Sequence, residues 1–212
     1  MTYKKFDIDT WNRRDSFLFF KEYDDPFFNL TTHLDVTKLY HYCKDQELSF
    51  FLTCLYYSLA VANQITEFRL RFLEGEVVLF DRIDAGSTIM NADSETFSFC
   101  YFDYHKERSF FIAEGRKKIN LQKERAILQE QKNKLNLIYY STIPWVHFTS
   151  IKHARRFNNQ ESIPKIAFGK IDKSTPVFKL PISIEVNHAL MDGFHVGLYL
   201  ERLQGVFNDV LI

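Results

Sequence analysis

The chain has 212 residues, 46% of them hydrophobic, and its 27 basic side chains balance 27 acidic ones. A neutral chain of this length can bury a sizeable core, and the even charge gives no support to nucleic acid or an anionic membrane as a general partner. The 22 phenylalanines and 11 tyrosines predict a core and pockets lined by aromatic rings.

The first segment, Phe6 to Phe20, joins a turn-like Asp7-Ile8-Asp9-Thr10 to Trp11, the adjacent Arg13 and Arg14, and then Phe17, Phe19 and Phe20. One arginine reads as part of a solvated face and the other as a candidate partner for a buried carboxylate. Val36, Leu39, Tyr40 and Cys43 share one face of a helix, with Asp35 as its expected N-cap. Ser49 then leads into residues 50–62, apolar on every side and therefore an interior helix. Phe68, Leu70 and Phe72 alternate with Arg69 and Arg71 up to Glu74-Gly75, which predicts a hairpin turning at Gly75 and returning to Phe80. Residues 96–102 alternate again as a strand. From Tyr104 to about Lys134 the pattern is helical, with Gly115 as a candidate break, and its basic stretch 116–134 reads as a solvated outer face or as a contact for phosphates. Strands follow at 137–140, 166–170 and 177–186. The strand at 137–140 ends in the irregular loop Ser141-Thr142-Ile143-Pro144-Trp145. After Gly193 the period changes, and Val196, Leu200, Leu203 and Phe207 form a helical stripe.

The 50–62 run falls short of the ~20 residues a spanning helix needs, and Met1 to Asp7 lack the apolar core of a signal peptide. Cys43, Cys54 and Cys100 read as reduced thiols of a cytoplasmic protein, not as a disulfide framework. No repeat or linker is visible, so residues 1–212 are expected to form one α/β domain around a mixed sheet.

The chemistry centres on Ile184 to Gly197. Ile182, Ile184, Val186 and His188 point to one side of a strand, and Ser183, Glu185 and Asn187 to the other. His188 thus stands where a strand ends and a helix is about to begin. It reads either as a hydrogen-bonded core histidine or as a general base, its ordinary pKa of ~6.5 suiting proton transfer at neutral pH. Asp192 can orient His188 as in a catalytic triad or cap the following helix; the adjacent Gly193 favours a cap plus ion pair. Ser141 lacks a Gly-x-Ser-x-Gly elbow, which makes it a better hydroxyl donor to an oxyanion than a nucleophile. The seven scattered histidines and the absence of Cys-x-x-Cys or clustered glycines argue against a metal site or a phosphate loop.

His188-Ala189-x-x-Asp192-Gly193-Phe194-His195-Val196-Gly197 resembles the active-site signature of the chloramphenicol acetyltransferases. The resemblance extends in order through Trp11-x-Arg13-Arg14-x-x-Phe17, Leu34-Asp35-Val36-Thr37, Ser94-Glu95-Thr96-Phe97-Ser98 and Ile143-Pro144-Trp145-Val146-x-Phe148-Thr149-Ser150. It implies a two-layer α/β (α+β) sandwich, a mixed sheet covered by helices. It also implies an acetyl-CoA-dependent O-acetyltransferase for chloramphenicol, with no metal, in which His188 is the general base and Ser141 bonds the oxyanion. Asp192 and Arg13 would pair to hold the His188 turn. Phe20, Phe28, Phe97, Trp145 and Ile151 would line the acceptor and pantetheine channels, with Ala167 and Lys170 also at substrate positions. A homotrimer is implied, with His188 facing a pocket built largely from its neighbour. Departures from the family pattern are Asn187, where a first histidine is usual, and Phe20, Phe51, His153 and Ala167 in the acceptor pocket. They leave open the same chemistry on another hydroxyl or amine acceptor, or an inactive trimeric binding protein.

Overall fold

A computed structural model describes residues 2–125, 128–131, 133–155 and 161–209. The main sheet has six strands in the order β2 (Phe27–Asp35), β9 (Lys179–Asn187), β8 (Lys165–Phe168), β7 (Leu137–Thr142), β5 (Asp84–Met90) and β6 (Phe97–Phe102). It is mixed: β7 runs parallel to β5 and β8, and the other neighbours are antiparallel. A second sheet of β1 (Tyr3–Lys5), β4 (Glu76–Phe80) and β3 (Leu70–Leu73) lies beside it. The expected turn at Gly75 is present, with Glu74 and Gly75 both at positive φ, 51° and 81°. Arg71 ties the small sheet to β7: it is fully buried and donates to the carbonyls of Phe68, Leu135 and Leu137.

The helices cover one face, as the sandwich reading requires. They are α2 (Thr37–Asp45), α3 (Phe50–Ala62), α4 (Arg108–Arg125) and α5 (Gly193–Asn208). Ile182, Ile184, Val186, Ile166, Phe168 and Tyr140 meet Leu52, Leu55, Leu59, Tyr199 and Leu203 in the main core. Strand register fixes what lies on the other face. Thr31, Ser183, Ala167 and Ser141 stand in one row, and Asn29, Glu185, Lys165, Tyr139, Gly86 and Tyr101 in the next but one.

Several expected boundaries shift. Val36, not Asp35, occupies the N-cap of α2; Asp35 closes β2 and its carboxylate still accepts from the Thr37 N–H at 2.9 Å. Ser49 does cap α3, accepting from the Leu52 N–H. Gly115 does not break α4, because it is the point of close approach to α3: a Cβ there would lie 2.8 Å from Leu52. The helix is described as far as Arg125 and residues 128–131 are not helical, well before Lys134; residues 126, 127 and 132 of the expected basic helix lie outside the described residues. Strands β1, β2 and β5 and the short helix α1 (Arg14–Phe20) were not foreseen. Among the described residues no helix is long and apolar enough to cross a membrane.

Candidate active site

Strand β9 ends at Asn187, and the chain turns through residues 188–192 into α5. Asn187 organises that turn: its side chain accepts from the Ala189 N–H at 2.9 Å and donates to the Glu161 carbonyl, while its own carbonyl receives the Leu190 and Met191 N–H groups. The His188 N–H is held by the Pro26 carbonyl at 2.6 Å. Its ring stacks on Phe20 at 3.8 Å between centroids, 8° from parallel, and leans on Phe28 at 4.7 Å. Of its two ring nitrogens, only Nδ1 is both buried and without a hydrogen-bond partner.

Arg13 clamps the turn from outside. Its Nε donates to Asp192 Oδ2 at 3.0 Å, one terminal nitrogen to the Ala189 carbonyl at 3.3 Å and the other to the His188 carbonyl at 3.2 Å. Asp192 caps α5 through the Phe194 N–H and meets His195 Nδ1 at 3.0 Å, so the expected cap and ion pair coexist. Burial opposes ionisation of Asp192, but the Arg13 hydrogen bond and charge prevail and hold the carboxyl below its ordinary pKa. His195 is itself bracketed, with Glu67 Oε1 3.4 Å from its Nε2.

Ser141 lies elsewhere. It stands on β7 in register with Ala167 and, through it, with Ser183. His188 is five residues further along β9 and two strands over, so the two Cα atoms are about 17 Å apart along the strands and about 10 Å across them, roughly 19 Å in all. One copy of the chain therefore does not bring Ser141 to His188. Two cavities flank β7 instead. On the open face, Ser141, Tyr139, Thr88, Phe99, Glu161 and Lys165 line one of about 720 Å³. On the helix face, Thr142, Phe50, Phe51, Phe168, Lys170 and Lys173 line another of about 620 Å³.

The sequence profile of the chloramphenicol acetyltransferase family matches residues 1–204. The chain belongs to the chloramphenicol acetyltransferase family. It is 30% identical over 216 residues, spanning all of both chains, to chloramphenicol acetyltransferase 3 of Escherichia coli. To chloramphenicol acetyltransferase 2 of Haemophilus influenzae it is 28% identical, again across both whole chains. A solved chloramphenicol acetyltransferase superposes with a TM-score of 0.87 at 28% identity, covering 96% of this chain and 99% of that one. The cubic core of a pyruvate dehydrogenase complex shares the fold, at 14% identity and a TM-score of 0.69. Family membership makes this chain an acyltransferase.

Against that family pattern the expected pocket residues divide. Phe20 and Phe28 stand at His188, Ala167 is buried beside Ser141, and Lys170 lines the helix-face cavity. Phe97 and Trp145 are 42% and 63% exposed and line neither cavity, nor does Ile151; on β6 it is Phe99 that reaches the open-face cavity. Sequence reasoning missed Tyr139, Lys165, Glu161 and Arg155 in that cavity. It also missed the Asp192–His195 box, although an Asp followed three residues later by a polar side chain was a readable signal. Among the described residues, no group of three or more His, Cys, Asp or Glu side chains is placed to hold a metal ion.

Proposed function

We propose that the protein transfers the acetyl group of acetyl-CoA to the primary hydroxyl of chloramphenicol, as the names of its full-length relatives indicate. The observation that carries this reading is the locked turn: Arg13 and Asp192 fix both ends of residues 188–192 and hold His188 against two aromatic rings. A rigidly placed imidazole suits general-base catalysis. His188 takes the proton of the acceptor hydroxyl as its oxygen attacks the thioester carbonyl. The tetrahedral oxyanion accepts a hydrogen bond from Ser141. The intermediate collapses with cleavage of the C–S bond, and the proton on His188 passes to the CoA sulfur.

Since Ser141 and His188 are separated within one chain, the working site is composite, His188 of one copy facing Ser141 of its neighbour in a homotrimer. The exposed Phe97, Trp145 and Val146 supply apolar surface for such contacts. The helix-face cavity fits the CoA side of the reaction. Phe50, Phe51 and Phe168 offer apolar walls to a pantetheine arm, and Lys170 and Lys173 stand on the same cavity as partners for phosphates. The three cysteines are free and buried, in keeping with a cytoplasmic enzyme.

Purified protein, acetyl-CoA and chloramphenicol should release free CoA thiol over time. His188→Ala should abolish the release, and Ser141→Ala should lower kcat by about 10²–10³. Sedimentation should show three copies. Release only with other alcohols would overturn the acceptor assignment, and no turnover with no acetyl-CoA binding by calorimetry would overturn the activity.

A further inference from the structure

His195 is buried in the first turn of α5, and no step of the acyl transfer above uses it. Its imidazole is nevertheless pinned at both nitrogens. Nδ1 receives the Asp192 N–H at 3.2 Å and lies 3.0 Å from Asp192 Oδ1. Nε2 lies 3.4 Å from Oε1 of Glu67, which enters from the single 3₁₀ turn Thr66–Arg69 ahead of β3. Burial opposes ionisation of Glu67, but the nearby His195, a backbone hydrogen bond in its own turn and the charge of Arg13 hold the carboxyl below its ordinary pKa.

These groups form one polar chain that ends on the backbone of His188. Glu67 meets His195, and His195 meets Asp192. Asp192 Oδ2 accepts from Arg13 Nε at 3.0 Å, and Arg13 donates to the His188 carbonyl at 3.2 Å. Asp192 closes the very turn that it steadies, so its carboxylate needs a support that does not move with residues 188–192. The His195 ring lies beside it, yet an imidazole can turn about its own side-chain bonds. Glu67 stops that rotation from a separate part of the fold. Its neighbour Phe68 is fully buried and packs on Tyr199 of α5 at 4.9 Å between centroids, and Arg69 bonds the Phe80 carbonyl. A partner on one ring nitrogen fixes what the other can do.

Resting on the acyl-transfer reading above, we propose that Glu67 and His195 are positioning residues of this enzyme, acting on His188 only through Asp192 and Arg13. No proton moves along the chain. Each group holds the next, and Arg13 holds the backbone of the base.

The test follows kcat and KM for chloramphenicol and acetyl-CoA by CoA thiol release. Glu67→Leu fills the space but removes the oxygen that faces Nε2; kcat should fall roughly tenfold with both KM values unmoved. Glu67→Gln, whose amide can meet Nε2 in either tautomer of the ring, should restore kcat to within about threefold of the parent. His195→Asn keeps a polar atom near the Nδ1 position and loses the reach to Glu67. It should match Glu67→Leu, and the two together should cost no more than either alone. In an Arg13→Ala background Glu67→Leu should leave kcat where it is, because the path to His188 is already cut. A residue that only supports folding would lower kcat by the same factor in both backgrounds. Thermal melts verify folding, and His195→Asn supplies the readout if Glu67→Leu melts early. A folded Glu67→Leu with full kcat, or a loss that multiplies unchanged onto Arg13→Ala, overturns the inference and leaves the acyl-transfer reading standing. Absence of CoA release by the parent overturns both.

Discussion

Replacing Arg13 by alanine removes at one stroke the three donors that hold the His188 turn. The guanidinium side chain is 9% exposed and bonds the His188 carbonyl, the Ala189 carbonyl and the Asp192 carboxylate. Breaking a buried ion pair from one side typically costs ~3–5 kcal/mol. Asp192 is 32% exposed and keeps the Phe194 N–H and His195, so water and these partners reduce the loss. The expected destabilisation is about 2–3 kcal/mol. At roughly 2–4 °C per kcal/mol for a chain of this size, the melting temperature should fall by about 5–10 °C. Activity should fall further than stability, by about a hundredfold in kcat, because a shift of ~1 Å in His188 spoils its alignment with the acceptor hydroxyl. Asp192→Asn should be milder, about 1–2 kcal/mol, since its one oxygen can still cap α5 while the charge and the acceptor for Arg13 Nε are lost. Calorimetry and CoA-release kinetics on the same preparations measure both effects. If Arg13→Ala melts with the parent and retains full activity, the clamp is irrelevant. Full stability with lost activity would instead make the pair part of the chemistry.

Two further outcomes concern the scaffold. Burial pulls the Asp103 carboxyl upward, but Lys118 at 2.7 Å and Lys134 at 2.9 Å outweigh it and hold its pKa at about 2. A carboxyl depressed on folding contributes stability above its unfolded value of ~3.9, and that contribution disappears as the pH falls through the folded value. Asp103→Asn should therefore flatten the loss of stability between about pH 4 and about pH 2, by 1 kcal/mol or less (about a screened surface pair) because the side chain is 55% exposed; an unchanged acid limb in urea titrations would refute it. Gly115→Ala should destabilise by about 1–2 kcal/mol, the contact at 2.8 Å with the fully buried Leu52 outweighing the ~1 kcal/mol gained in helix propensity. A raised melting temperature would show that Leu52 can move aside.

Local pattern revealed the elements with one strong period and hid the others. Strand β9 and helix α5 were legible because alternation through Val186 gives way to a helical stripe from Val196. Strand β2 escaped because Asn29, Thr31, Thr32 and His33 leave its apolar face thin, and β5 because Gly86, Ser87 and Thr88 carry no apolar rhythm. Helix α1 has only seven residues and no side-chain cap. That helical structure is gone by Leu128 could not be read, because the polar and basic run continues to Lys134 without a change of composition. Within the site, Arg13 and Asp192 are 179 positions apart, a distance that no local period spans; the family resemblance alone suggested their pairing. The grouping of Lys165 with Tyr139 in the open-face cavity emerges only from register, which pairs them across β7 and β8.

The separation of Ser141 from His188 has a genetic consequence. In the ring of three proposed above, a subunit lacking His188 and a subunit lacking Ser141 are each inactive as homotrimers, yet every mixed ring contains one interface at which both residues survive. Random mixing in equal amounts leaves roughly a quarter of all interfaces intact. Two null alleles expressed together would thus restore the phenotype that neither confers alone, whereas two null alleles of a site contained within one subunit would not.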